Sequence, residues 1–366
     1  MPRPRTVYRG KRKYSWLITL GATILVLLIV VAVWLFYSLQ RYIVYDKDGL
    51  RLDLSAQKEQ LLHPENTAEA DGGDAPVYEH IDVEIVVDEK DYSEVVTSAG
   101  TDLQAMRAVF VPASDVTENT LKYYSGSTGD FNTLVLELKS ADGYLRWHSS
   151  VPTADSFAVN GTLEPAEALA AIKEKGIYLT AQLSALADST MAQRNAPLAL
   201  KNSATGAPFT DGSGSRWLDP YSEGTRAYLL ALLTELKELG FDEVLLSGFV
   251  CPDSEYLQFS ASMTQTPGPA AALSSLALWL RQQADDLGIR LSVEIDGKAL
   301  RSEDVLMGQD PALLFRFFDR VAVQTDFDHM AGDVSALTAA LGADDENRAL
   351  LITEDFAPER ESYIVK

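Results

Sequence analysis

The chain has 366 residues, enough for one large domain or two ordinary ones, and apolar residues at 46% supply a sizeable core. Its formal net charge is −22, and six of its 31 basic side chains (Arg3, Arg5, Arg9, Lys11, Arg12, Lys13) lie in the first 40 residues, which hold no acid. The remaining 25 basic and 53 acidic groups give a body of net charge −28, which repels phosphate backbones and so excludes nucleic acid as a partner, and the lone Cys251 excludes an internal disulfide.

Taken in order, residues 1–15 form a basic tail. Residues 16–37, WLITLGATILVLLIVVAVWLFY, contain no charge. At the helical rise they span roughly 33 Å, enough for the hydrocarbon core of a bilayer. Trp16, Trp34 and Tyr37 stand near the ends, where aromatic rings prefer the interface, and no small-residue cleavage site follows. The segment is therefore expected to be an uncleaved transmembrane helix in contact with the lipid bilayer. The basic flank places the N-terminus in the cytoplasm and the bulk of the chain outside. Residues 38–100 read as a stalk. A β-hairpin is expected over 42–54, turning at Asp48-Gly49, followed by a solvated tether over 55–80 and a weakly alternating strand at 81–87.

From about residue 101 to 366 the pattern is regular. Strands are predicted at 105–111, 133–138, 177–183, 242–246, 290–295, 320–324, 348–353 and 362–365. Ser222 caps a helix whose leucines 229, 232, 233, 236 and 239 make one apolar stripe. Helices closing at Gly176, Gly240 and Gly288 feed directly into apolar strands, which indicates βα units and a parallel sheet. Eight units in this length fit a (β/α)8 TIM-like barrel; a doubly wound open sheet is the alternative. No glycine-rich phosphate loop follows the first strand, and His148 and His329 lack the spacing of a metal site, so neither cofactor nor metal is expected.

In such a barrel the functional mouth forms at the C-terminal ends of the strands. Those ends carry Glu137, Lys139 and Asp142; Ser247, Cys251 and Asp253; Glu294 and Asp296; Asp326 and Asp328; and Glu354 and Asp355. Paired carboxylates across one mouth are what glycoside cleavage requires, although acids also cap the helices that follow strands. Tyr144, Trp147, Trp217 and Tyr221 offer faces that either stack on sugar rings or pack as lids. Cys251 reads as a small buried thiol.

Three stretches resemble a bacterial family of glycoside hydrolase domains of TIM-barrel fold, distantly similar to the alpha-amylase group. They are Leu134–Tyr144 with Lys139 and Asp142-Gly143; Gly176–Gln182 followed by Asp188 and Ala196–Leu200; and Trp217-Leu-Asp219-Pro220-Tyr221 with Gly240–Val244. The resemblance implies a polysaccharide or glycan partner, contacted through Lys139, Asp142, Trp217, Asp219, Tyr221, Ser247 and Asp296. It also places Ser247 where the family has the nucleophilic Asp, and Val250 where it has the supporting Arg. Glu294 stands where the family has an acid on the fifth strand, with Asp253 or Asp326 as relocated partners. A membrane-anchored barrel that binds sugar without cleaving it is therefore expected, with an active glycosidase as the alternative.

Overall fold

The computed structural model describes residues 43–46, 49–52, 99–126, 129–260, 268–301, 307–343, 345–354 and 356–366. The expected membrane helix at 16–37 and the strand at 81–87 lie outside the described residues. Among the described residues no helix is long and apolar enough to cross a membrane. The chain divides into two compact units, Met1–Glu89 and Lys90–Lys366.

In the first unit, β1 (Ile43–Asp46) pairs antiparallel with β2 (Gly49–Leu52). The expected hairpin is present, but its register differs. Asp46 faces Gly49, so Gly49 belongs to the second strand and not to the turn.

The second unit is a closed barrel of eight parallel strands: β3 (Arg107–Val111), β4 (Thr133–Lys139), β5 (Tyr178–Ser184), β7 (Glu243–Ser247), β9 (Arg290–Ile295), β10 (Val321–Gln324), β11 (Ala349–Thr353) and β12 (Tyr363–Val365). The short β12 closes the ring by pairing with both β11 and β3, so the open sheet is excluded. Two further short strands, β6 (Lys201–Asn202) and β8 (Leu257–Gln258), pair outside the ring.

The helices form where the sequence permits them. Ser222 accepts from the Thr225 N–H and starts helix Glu223–Glu238, whose Leu229, Leu232, Leu233 and Leu236 are buried. Gly288 takes φ +64 and ends helix Pro269–Leu287 in the left-handed region that a Cβ disfavours. Both stripes pack on the outward side chains of the strands, such as Leu179, Val244, Leu246 and Leu291. Burying each leucine stabilises by about 1.5–3 kcal/mol.

The barrel interior is filled, not hollow. Met106, Ala108, Val135, Leu245, Ala322, Leu350, Ile352 and Ile364 make its apolar centre. Below them, at the N-terminal end, Glu243 accepts from Ser292 Oγ at 2.5 Å, Tyr178 OH at 3.0 Å and Arg320 Nε at 3.2 Å. Arg320 also donates to the Gln104 carbonyl. This buried, hydrogen-bonded network fills the N-terminal end of the barrel interior.

Candidate functional site

Alternation along the strands continues the inward rows of Ala108, Val135, Leu245 and Ala322 upward to the mouth. The next residues on those rows are Phe110, Glu137, Ser247 and Gln324. Glu294 lies opposite Ala322 on the neighbouring strand, and Gln182 lies opposite both Glu137 and Leu245.

Glu294 is half-buried, and Gln182 Nε2 donates to its Oε2 at 2.9 Å. Burial raises the Glu294 pKa, and the charges of Glu137 and Asp296 push in the same direction. Lys366 and the Gln182 hydrogen bond pull against them, and the net shift is upward. Glu137 Oε2 accepts the Ala113 N–H at 2.9 Å. Lys366 Nζ donates to Gln324 Oε1 at 3.0 Å and lies 5.0 Å over the Phe110 ring, and Gln324 Nε2 donates to Glu354 at 3.1 Å. The mouth therefore holds a carboxyl that keeps its proton beyond the ordinary range and a second carboxyl close enough to feel its charge. Such a pair can protonate a leaving oxygen and assist attack at the adjacent carbon.

Of the residues singled out from the sequence, Glu137, Glu294, Asp296 and Ser247 lie at this end of the barrel. Asp296 is exposed, and its Oδ1 accepts the Lys298 N–H at 2.7 Å. Asp326 lies farther along the rim, fully exposed; its pKa is lowered, first by the His329 N–H and then by the His329 ring at 2.8 Å. Asp253 is exposed on the loop after β7, and among the described residues it shares no bond with Glu294.

Lys139 points elsewhere. A bulge between Glu137 and Lys139 breaks the alternation of β4. Lys139 is turned away from the mouth into a fully buried ion pair with Asp188 at 2.9 Å, and it donates to the Ser184 carbonyl. Asp188 in turn caps helix Ser189–Arg194 through the Met191 N–H. Gly143 packs on the same carboxylate at φ +88, where a Cβ would lie 2.0 Å from Asp188 Oδ1. Asp142 accepts from Arg146 at 2.6 Å and from the Tyr144 N–H at 2.9 Å, shaping that turn.

The Trp217–Tyr221 stretch also holds loops. Trp217 Nε1 donates to Asp211, and the buried Asp219 accepts the N–H groups of Tyr221 and Ser260 at 2.9 and 2.6 Å. Burial raises the Asp219 pKa against those bonds. Tyr221 is half-buried, edge-on to Phe259 and beneath Arg226. Trp147 is wholly buried and donates to Glu235, so it packs and cannot stack on a ligand. Cys251 is buried, with its thiol pushed up to about 12 by desolvation and by Asp219, which leaves it inert. Gln324 and Lys366 were missed as mouth residues; only the inward row, visible once the register is known, marks them.

Three solved structures are similar at low identity. A hypothetical protein from Ruminiclostridium thermocellum is 21% identical over 50% of this chain and 96% of that one, with a TM-score of 0.44. Aspergillus fumigatus Ega3, in complex with galactosamine, is 11% identical over 70% and 80%, with a TM-score of 0.42. The glycoside hydrolase domain of PelA from Pseudomonas aeruginosa is 20% identical over 69% and 84%, with a TM-score of 0.39. At these scores the likeness carries no argument about activity. No curated protein matches the chain. Residues 108–323, more than half of the sequence and most of the barrel, match the family described as "Putative glycosyl hydrolase domain", and the chain belongs to that family.

Proposed function

We propose that this chain is a membrane-anchored, extracytoplasmic barrel that hydrolyses a polysaccharide at the cell envelope. Glu294 serves as the proton donor and Glu137 as the second carboxylate. The observation that supports the reading is the burial of Glu294 near the charge of Glu137 at the C-terminal ends of the strands, which raises its pKa. Glycoside cleavage needs a carboxyl that holds its proton, and burial favours that state at Glu294. Residues 16–37 supply the anchor in this reading, and the basic tail sets the orientation.

A second reading is favoured by one observation. Ser247, which ends β7, stands where the resemblance leads one to expect a nucleophilic Asp, and a serine hydroxyl without a base is a weak nucleophile. In that reading the mouth binds glycan and leaves it intact. The test is turnover of a panel of aryl glycosides and cell-wall polymers by residues 41–366. Release of product that Glu294→Gln reduces at least ~100-fold supports hydrolysis. Binding with no product from any member selects the second reading, and product undiminished in Glu294→Gln removes Glu294 from the chemistry.

A further inference from the structure

A cavity of about 330 Å³ opens on the same rim, between the ends of β10 and β11. Asp326, Glu354, Gln324, Arg301 and Phe356 line it. Its floor is fixed: Arg301 Nη1 bonds both oxygens of the buried Asp333 at 2.7 and 2.9 Å, and Thr325 Oγ1 donates to Asp333 at 2.6 Å. Among the described residues, no bond is made by the other guanidinium nitrogens of Arg301. Beside the cavity, Phe327 stands 77% exposed, edge-on to Phe356 at 6.4 Å between ring centroids. Phe327 and Phe356 together form an aromatic wall beside the cavity.

The cavity lies close to Glu294. Glu294 faces Ala322 in register, and Gln324 is two residues farther along that neighbouring strand. One strand spacing and two residues of rise separate the two Cα positions by roughly 8 Å. Lys366, whose charge acts on Glu294, donates to Gln324 in the cavity wall.

We propose that this cavity is a saccharide subsite that holds the ring next to the one acted on at Glu294. The apolar face of a hexopyranose rests on Phe327 and Phe356, and its hydroxyls are bound by Asp326, Glu354 and Arg301. Carboxylates accept vicinal hydroxyls, a guanidinium fork donates to ring and hydroxyl oxygens, and an aromatic wall selects a ring with an apolar face over a compact ion. The assignment rests on the reading of the mouth as a glycan site.

The experiment is calorimetric titration of the full-length chain in detergent with maltotetraose, cellotetraose and chitotetraose. At least one tetraose is expected to bind, with affinity lowered tenfold or more by Phe327→Ala and by Glu354→Gln. Phe327 is exposed, so its removal leaves the fold intact, and the circular dichroism melt of each variant verifies this. Binding that neither rim variant weakens overturns the subsite and leaves the Glu294 reading standing. Binding of none of the three overturns both.

Discussion

Replacing Lys139 by Met tests whether the lysine of the Lys–Asp-Gly signature serves substrate or architecture. Methionine keeps most of the stem volume and removes the ammonium. Asp188 is then left fully buried without its counter-charge, while its Oδ1 still accepts the Met191 N–H. Breaking a buried pair from one side costs about 3–5 kcal/mol, a large part of the 5–15 kcal/mol that holds a domain together. With a urea m-value near 2–3 kcal/mol/M, the unfolding midpoint of residues 90–366 falls by about 1–2 M. Buried Trp147 provides the fluorescence reporter. Asp188→Asn retains the cap, so the double variant Lys139→Met/Asp188→Asn recovers part of the loss, with a coupling of about 1–3 kcal/mol. A Lys139→Met shift below about 1 kcal/mol, together with lost glycan binding, would return this lysine to the mouth and refute the reasoning.

Further outcomes follow from the same geometry. Gly143→Ala destabilises the barrel by about 3 kcal/mol or more, measured in the same urea series, because the new methyl meets Asp188 at a backbone angle that L residues avoid. Glu294 keeps its proton to higher pH in the folded chain than in the unfolded one. Its favourable contribution is present below about pH 4.3, the ordinary glutamate value, and is lost as pH rises through its raised folded value. Glu294→Gln therefore gains thermal stability relative to the parent between pH 4 and pH 7, and a constant difference across that range counts against the shift. Protease added to intact cells removes the barrel from the proposed membrane-anchored chain; full protection overturns the orientation.

Much of the fold was legible because it rests on local rules. Apolar runs, three of them preceded by a helix that closes on glycine, located all eight strands to within a residue or two, and Ser222 and Gly288 marked helix ends through capping chemistry that acts over one turn. The site was less legible because it depends on register. One bulged residue in β4 decides that Glu137 faces the mouth and Lys139 does not, and no periodicity announces a bulge. The Gln182–Glu294 bond joins residues 112 apart. Lys366 reaches Gln324 only because the ring closes through β12. The aromatic residues left stacking and packing both open for a related reason. Trp147 packs because residues distant in sequence bury it against Glu235.

The proton-donor role of Glu294 is tested most directly by comparing two substrates of one sugar, one with a good aryl leaving group and one with a poor alkyl leaving group. A poor leaving group needs the proton, and a good one departs without it. The account predicts that Glu294→Gln slows the alkyl glycoside by about 10²–10⁴-fold and the aryl glycoside far less. Equal slowing of both, or no slowing of either, would contradict it.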